Sequence, residues 1–437
     1  MLSIQSFLNK AEEVLEKTNP VKIYGRVTKA VGLIVESIGI DASIGDICEI
    51  ITDGNRIEAE VVGFKNGTIL LSPLGEIYGI KSGAKITVKG KQSYIPLDND
   101  ILGRIIDGTG NPLDGKGPLK GEPFPIYREA INPLERDFIK EPLDLGIRAI
   151  NALITCGKGQ KIGIMAGSGV GKSVLLGMIA RYTSAEINVI ALIGERGREV
   201  REFIENDLGE GLKKSVVVVS TSDAPALARI RGAFLATAIA EYFRQQGKDV
   251  LLLMDSLTRF AMAQREIGLA AGEPPTMKGY PPSVFNLMPK LLERVGVIKN
   301  GGSITGIYTV LVEGDDLTDP VADASRSILD GHIILSREMA NRNHYPAIDP
   351  LKSVSRLMKD IVDEKHLKYA GRLFDIMATY AKYEDIINIG AYKEGTNAQV
   401  DFAIKMMDKI NSFLKQDINE KASFQESVEK LYSLFED

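Results

Sequence analysis

Residues 165–173, with the sequence Met-Ala-Gly-Ser-Gly-Val-Gly-Lys-Ser, limit the possible folds of this chain more than any other stretch. The apolar run at 161–164 precedes them and a helical pattern at 174–181 follows. A glycine-rich turn between a strand and a helix directs unpaired backbone N–H groups, together with the helix N-terminus, at one point where a polyphosphate can bind. The sequence therefore predicts a phosphate-binding loop within an α/β domain.

Two side chains at the end of this loop have defined roles in such a site. Lys172 would place a positive charge on the β- and γ-phosphates, and the Ser173 hydroxyl would bind Mg²⁺. The P-loop pattern has glycine where this chain has Ala166, so an ordinary glycine-rich turn is the alternative. Because strand, loop, Gly-Lys-Ser and helix occur together, we expect ATP or ADP to be bound by Ala166, Gly167, Ser168, Gly169, Val170, Gly171, Lys172, Ser173 and Val174.

Length and charge restrict the class of protein. A chain of 437 residues is too long for one compact unit, so two or three domains are expected. With 53 Lys+Arg against 58 Asp+Glu, the net charge of −5 argues against wrapping nucleic acid by bulk charge. Cys48 and Cys156 lie far apart without metal spacing, which is typical of buried thiols in a reducing cytosol. We also expect neither a signal peptide nor a membrane-spanning helix.

The amino-terminal part divides into a helix and a β-rich region. At residues 1–20, an apolar stripe alternates with charged residues and predicts an amphipathic helix, which could dock on its own chain or serve as a handle for another protein or a membrane surface. Residues 21–92 contain short β-rich runs separated by turns, which is typical of a small closed barrel. The predicted strands are 22–27, 30–35, 46–50, 57–62, 68–71 and 85–88. Aromatic residues are too sparse there for a base-stacking platform, so we expect a structural or assembly barrel.

Residues 93–365 change pattern and predict the nucleotide domain. Unalternated apolar runs at 187–193, 215–220 and 249–255 are separated by helical patterns such as 225–246, which indicates a parallel sheet covered on both faces. Residues 366–437 contain only helical patterns, at 367–387, 398–414 and 424–435. The predicted fold is an α/β P-loop core with an N-terminal β-barrel and a C-terminal helical domain.

Two carboxylates follow strands of this core. Asp255 ends the run at 251–254, where it would hold waters of Mg²⁺ beside Ser173; a helix cap is the alternative. Glu195 follows the strand at 187–193, and strand carboxyl ends in a doubly wound sheet face the ligand crevice. Glu195 would then orient and deprotonate the attacking water, whereas a solvated loop with a surface ion pair is the alternative.

These motifs together resemble the rotary-type ATPases, and within them most closely the flagellum-specific export ATPase and its injectisome relatives. The resemblance is carried by residues 166–173, 194–199 (Gly-Glu-Arg-Gly-Arg-Glu), 255–261 (Asp-Ser-Leu-Thr-Arg-Phe-Ala), 279–283 (Gly-Tyr-Pro-Pro-Ser) and 345–356, which begin Tyr-Pro-Ala-Ile-Asp-Pro. It covers nearly the whole chain and implies a barrel, a RecA-like core and a helical domain, assembled as a ring of six. Ala166 agrees with the export ATPases and departs from the rotary β subunits, which have glycine there.

The resemblance also implies roles for single residues. Glu195 matches the catalytic glutamate and Asp255 the Walker B aspartate, while Arg196 and Arg259 match arginines near the γ-phosphate. Arg356 matches the arginine that reaches into the neighbouring subunit's site. Tyr345 and Phe424 match aromatics that hold the adenine, and Ile418 replaces another.

The implied function is ATP hydrolysis for flagellar type III protein export, in the cytoplasm and peripheral to the inner membrane. The resemblance implies that loop 272–282 faces the central pore and meets a coiled-coil stalk protein; a plain surface loop is the alternative. The other implied partners are further copies of the chain, a stator-like negative regulator at the N-terminal helix, membrane proteins of the export gate, and export substrates with their chaperones. Nucleic acid is not expected. The alternatives are an injectisome ATPase, the catalytic subunit of a rotary ATP synthase, a non-catalytic ring component and, from another class, a hexameric RNA helicase.

Overall fold

The computed structural model describes residues 23–90, 93–312, 314, 316 and 318–436. The predicted helix at 1–20 lies outside these residues. The described residues divide into two compact units, one that includes residues 23–90 with 270–272 and one that runs from 94 to 269 and from 273 to 436. None of the helices in the described ranges is both long and apolar enough to cross a bilayer.

The described residues between 23 and 90 form a closed barrel of six strands, in the order β1-β2-β5-β4-β3-β6. The strands are β1 (Gly25–Val31), β2 (Ile34–Ile38), β3 (Ile47–Ile51), β4 (Arg56–Lys65), β5 (Thr68–Pro73) and β6 (Lys85–Gly90). Apolar side chains such as Val35, Ile50 and Leu71 alternate into its buried centre, because successive residues of a strand point to opposite faces. The predicted barrel is confirmed.

The predicted strand at 30–35 is wrong in its bounds. The structure ends β1 at Val31 and starts β2 at Ile34, with a turn between them in which Gly32 has a φ of +58°. Ala30 and Val31 therefore belong to one strand and Ile34 and Val35 to the next. Apolar residues on both sides of the turn form one run in the sequence, which conceals the break between the strands. The turn falls at Gly32 because glycine adopts a positive φ without steric cost.

The second unit is built on a nine-stranded sheet in the order β17-β16-β10-β15-β13-β11-β12-β8, in which β14 pairs with β15. Its strands are β8 (Ile105–Asp107), β10 (Lys161–Ala166), β11 (Ile187–Glu195), β12 (Ser215–Thr221), β13 (Asp249–Asp255), β14 (Gly296–Val297), β15 (Ser303–Leu311), β16 (Gly331–Leu335) and β17 (Ile348–Ser355), and a separate ribbon pairs β7 (Tyr94–Leu97) with β9 (Glu122–Pro125). Strands β10, β15, β13, β11, β12 and β8 are parallel, so their carboxyl ends share one edge of the sheet. The predicted parallel core is confirmed, with β15 inserted between β10 and β13.

Helices cover this sheet and form the carboxyl-terminal part. They are α1 (Arg148–Leu153), α2 (Lys172–Tyr182), α3 (Gly197–Glu202), α4 (Ala226–Gln245), α5 (Leu257–Ala271), α6 (Pro282–Leu292), α7 (Pro320–Ile328), α8 (Arg337–Asn341), α9 (Met358–Ile361), α10 (Glu364–Asn388), α11 (Ala398–Leu414) and α12 (Phe424–Ser433). The last three confirm the predicted C-terminal helices. Their buried residues, including Leu373, Ile410 and Leu431, belong to the same hydrophobic cluster as Ile164 of β10.

Candidate active site

The phosphate-binding loop occupies the turn between β10 and α2. Gly169 and Gly171 have φ values of +77° and +86°, a conformation that residues with a Cβ adopt only at a cost. Gly171 is the N-terminal cap of α2, so Lys172 and Ser173 stand in the first turn of that helix. The helix N-terminus and its free N–H groups thus adjoin the lysine and the hydroxyl that the motif places there.

The register of the sheet brings the other predicted groups to the same edge. Leu192 of β11 is opposite Asp255 of β13, so Glu195 lies just beyond the end of this pairing. Ala166 at the end of β10 is opposite Leu311 of β15. The parallel arrangement therefore gathers the phosphate-binding loop, Glu195 and Asp255 at the carboxyl ends of neighbouring strands, as the sequence predicts for a ligand crevice.

A cleft of about 380 Å³ opens at this edge. It is lined by Gly167, Ser168, Gly169, Gly171, Lys172, Ser173, Val174, Gly194, Glu195, Arg196, Glu199, Ser222, Arg259 and Leu311. Most of the predicted nucleotide-binding residues thus share one cavity. Ala166 and Val170 belong to the same loop but are buried beneath its surface.

Lys172 is held between the two carboxylates. Its Nζ lies 2.5 Å from Asp255 Oδ1 and 3.6 Å from Glu195 Oε1. Burial alone would lower the pKa of Lys172, but the carboxylates of Asp255 and Glu195 outweigh that effect and raise it. The amine is therefore a permanent cation in the cleft, available to a polyphosphate.

Glu195 is poised to exchange a proton near neutral pH. Burial raises its pKa to about 7, the Asp255 carboxylate adds to the rise, and Lys172 opposes it. The neighbouring Glu199 raises the pKa of Glu195 further. A buried carboxyl with a pKa close to the working pH is what a general base requires.

Asp255 does not cap a helix, which was the alternative to a metal role. Helix α5 begins at Leu257, and the backbone N–H of Arg259 is bound by the Ser256 hydroxyl. The Asp255 carboxylate instead accepts hydrogen bonds from Lys172 and from Thr309 Oγ1, which is 2.7 Å away.

The two arginines that resemble γ-phosphate ligands occupy different environments. Arg259 packs its side chain over Gly194, where an added Cβ would lie 2.6 Å from Arg259 Cβ. Arg196 is a largely exposed side chain, and its guanidinium donates to Glu199 Oε1 at 3.2 Å. Both line the cleft, but Arg196 points toward solvent and Glu199.

The remaining predicted residues lie outside the cleft lining among the described residues. Tyr345 lies beside the loop, since its Cε1 would be 3.4 Å from a Cβ added to Gly171. Phe424 begins α12 and packs against the ring of His366, with centroids 5.9 Å apart. Arg356 is exposed, and its guanidinium donates to the Arg326 carbonyl at 3.0 Å. The structure therefore joins Tyr345 to the loop and leaves Phe424 and Arg356 apart from it.

Four residues of the site have no role that the sequence predicts. Glu199, Ser222 and Leu311 line the cleft, and the Thr309 hydroxyl donates to Asp255. Glu199 stands within the Gly-Glu-Arg motif, so its place could have been suspected. Thr309 and Leu311 reach the site through the position of β15 in the sheet, and Ser222 lies in the loop after β12. No local pattern in the sequence predicts either placement.

The donor atoms suit a small, hard cation. Ser173 offers a hydroxyl and Asp255 a carboxylate, which are oxygen ligands of the kind that Mg²⁺ takes. No group of three or more His, Cys, Asp or Glu residues able to hold a metal occurs among the described residues.

Comparisons with known proteins agree with this geometry. Family models match residues 27–90 as the beta-barrel domain and 146–355 as the nucleotide-binding domain of the ATP synthase alpha/beta family, and 362–433 as a type III secretion EscN ATPase C-terminal domain. A protein of Bacillus subtilis named flagellum-specific ATP synthase is 52% identical over 427 residues, covering 97% of each chain. The chain belongs to the flagellar and type III secretion ATPases of the ATP synthase alpha/beta family.

Other members of this family give the same result. A type 3 secretion system ATPase of Xanthomonas euvesicatoria is 48% identical over 95% of this chain and 94% of its own. The structure of the assembled ATPase EscN from the type III secretion system of enteropathogenic E. coli has a TM-score of 0.89 at 46% identity, covering 94% of this chain and 99% of EscN. EscN in complex with its central stalk EscO gives a TM-score of 0.86 at 45% identity, with the same coverage. As a member of this ATPase family, the chain binds and hydrolyses ATP.

Proposed function

We propose that this chain is the ATP hydrolase of a flagellar type III export apparatus and that it works as a homohexamer. The observation that carries the proposal is the contact of Lys172 with both Asp255 and Glu195 at the mouth of a phosphate-binding loop. The flagellum-specific relative at 52% identity supports the flagellar assignment over the injectisome. The proposed role is to energise or prime export and to release substrates from chaperones.

In the proposed mechanism, the cleft acts chiefly through position and charge. Lys172 leaves the carboxylates to bind the β- and γ-phosphates, while the N–H groups of the loop bind their oxygens. Ser173 and, through water, Asp255 would hold Mg²⁺, which when bound supplies positive charge to the phosphates. Glu195 orients the attacking water and accepts its proton.

Arginines would complete the charge balance. Arg259 is already in the cleft, and Arg196 would turn from Glu199 toward the γ-phosphate. Arg356 would act in the neighbouring subunit, which accords with its exposed position away from its own cleft. An arginine supplied in this way is worth about 10³ to 10⁵ in turnover, so assembly would switch hydrolysis on.

Adenine would be held against Tyr345, whose ring lies beside Gly171 of the loop. Phe424 is proposed for the same pocket on the family resemblance, with the aliphatic Ile418 in place of another aromatic. Ile418 lies near the far end of α2, where its carbonyl accepts from Arg181 and Tyr182. The Tyr345 ring therefore has the stronger support from contacts.

The proposed partners follow the family. The relative EscN is described with a central stalk, and we propose a coiled-coil stalk at the loop 272–282 of this chain. A stator-like regulator at residues 1–20, export-gate membrane proteins, and export substrates with chaperones complete the set. The proposed location is the cytoplasm, peripheral to the inner membrane at the export apparatus.

The experiment that tests this function replaces Glu195 by glutamine. Glu195→Gln should bind ATP with Mg²⁺ as the unmodified chain does, because the phosphates are held by the loop, and should lose turnover, because an amide accepts no proton. Glu202→Gln, an exposed carboxylate paired with Arg198 on α3, is the matched control and should leave both unchanged. Turnover retained in Glu195→Gln would remove the proposed base.

A further inference from the structure

The strand β15 places a buried hydroxyl against the carboxylate that is proposed to hold Mg²⁺. Strand β15 lies between β10, which leads into the phosphate-binding loop, and β13, which ends at Asp255. Met254 is opposite Tyr308 in the register, so Asp255 and Thr309 are the next neighbours at the carboxyl edge. Thr309 is fully buried and Asp255 is 5% exposed.

Two donors share one oxygen of Asp255. Thr309 Oγ1 lies 2.7 Å from Oδ1, and Lys172 Nζ lies 2.5 Å from the same atom. The Thr309 hydroxyl is also 3.4 Å from the Met254 carbonyl, a longer and weaker contact. Its single proton is therefore directed at Asp255, and no hydrogen bond from the described residues reaches the second carboxylate oxygen.

Nucleotide would remove one of these donors. Lys172 is the lysine that binds phosphates in a P-loop, so it leaves Asp255 when the cleft is occupied. Among the described residues, Thr309 is then the side-chain donor that remains on the carboxylate. A hydrogen-bonded outer partner fixes the orientation of a metal-binding carboxylate.

We propose that Thr309 is a positioning residue that keeps the Asp255 carboxylate oriented toward the Mg²⁺ of bound nucleotide after Lys172 has moved to the phosphates. This inference rests on the proposed function, because it requires Asp255 to serve the metal. It assigns to β15 a part in the site that is separate from the loop and from Glu195.

The test measures how strongly Mg²⁺ tightens the binding of ADP. Binding is followed by the fluorescence of ADP carrying a methylanthraniloyl group, which is excited directly. Dissociation constants are measured in excess Mg²⁺ and in EDTA, and their ratio gives the Mg²⁺ effect. This readout needs no hydrolysis.

Thr309→Val keeps the shape and removes the hydroxyl, while Thr309→Ser keeps the hydroxyl. We expect Thr309→Val to reduce the Mg²⁺ effect about 10-fold, the lower end of the range for partners of direct metal ligands, because Asp255 holds the ion through water; binding in EDTA should be unchanged. Thr309→Ser should remain within about 3-fold of the unmodified chain. If Thr309→Val does not fold, Thr309→Ala serves in its place and should show the same loss.

Each outcome is decisive. The inference is overturned if the hydroxyl-free variants keep the full Mg²⁺ effect. It is also overturned if Thr309→Ser loses as much of the Mg²⁺ effect as Thr309→Val, or if ADP binding in EDTA weakens as much as binding in Mg²⁺. Asp255→Asn separates the two proposals: if it abolishes the Mg²⁺ effect while Thr309→Val does not, only the inference about Thr309 fails. If Asp255→Asn leaves the Mg²⁺ effect intact, the proposed metal role of Asp255 fails with it.

Discussion

The ion pair between Glu241 and Arg294 allows a quantitative prediction about what stabilises the nucleotide domain. Arg294 is fully buried and Glu241 is 2% exposed. The guanidinium donates to both carboxylate oxygens, at 2.9 and 2.7 Å, and also to the Ile126 carbonyl at 2.9 Å. The pair thus joins α4 to the residues just after α6 and to the segment that contains Ile126.

Glu241 serves more than one cation. Arg128 and Arg244 lie 3.6 and 3.8 Å from its carboxylate, and burial, opposed by Glu241, lowers the pKa of Arg244 to about 10. Replacing Glu241 by glutamine would leave Arg294 buried without a counter-charge and bring three arginines together unshielded. Breaking a buried pair in this way costs about 3 to 5 kcal/mol of unfolding free energy, and we expect the upper part of that range.

The matched control is Glu266→Gln, which breaks the pair with Arg229. Glu266 is 40% exposed, so solvent can replace its partner and the loss should be about 1 kcal/mol or less. Urea unfolding followed by circular dichroism compares the two variants with the unmodified chain. If Glu241→Gln loses no more free energy than Glu266→Gln, the buried charge is not what the carboxylate supports and the reasoning is refuted.

Three further predictions concern the cleft. Gly194→Ala should lower kcat by about 10²-fold, because a Cβ at φ +74° would displace Arg259. The control Gly197→Ala, whose added Cβ would have nothing within 4 Å, should change kcat little. Equal effects of the two substitutions on kcat would exclude displacement of Arg259 as the cause. The kcat/KM for ATP should fall about tenfold per pH unit below about 7, since the pKa of Glu195 is raised to about 7 and only its ionised form accepts a proton. A kcat/KM that stays constant from pH 6 to 8 would contradict the role of Glu195 as general base. Tyr345→Ala should weaken ATP binding about 10-fold to 100-fold, as loss of ring stacking does, and Tyr345→Phe should not. Equilibrium ATP binding checks this, because an equal loss in Tyr345→Phe would assign the effect to the hydroxyl and not to stacking.

The sequence was sufficient for features that local patterns determine. The glycines of the loop, the unbroken apolar strands before Glu195 and Asp255, and the helical carboxyl-terminal region were each predicted from contiguous residues and are present. Parallel strands have their carboxyl ends at one edge, so the meeting of Lys172, Glu195 and Asp255 could also be anticipated.

Features that depend on strand order could not be predicted in this way. Strand β15 carries Gly306, Tyr308 and Thr309 among its apolar residues, so it does not read as an unbroken apolar run. Its insertion between β10 and β13, and with it the contact of Thr309 with Asp255, is a non-local property of the sheet. The turn at Gly32 was missed because apolar residues flank it on both sides.

In the proposed mechanism, a second subunit completes the active site. The most direct measurement is ATP hydrolysis as a function of protein concentration for the unmodified chain, Arg356→Ala and the control Lys352→Ala, which removes an exposed cation paired with Asp349. Specific activity should rise steeply with concentration for the unmodified chain and Lys352→Ala, and stay about 10³-fold lower or more for Arg356→Ala. Constant activity per chain, with Arg356→Ala as active as the control, would contradict the shared site and the ring mechanism with it.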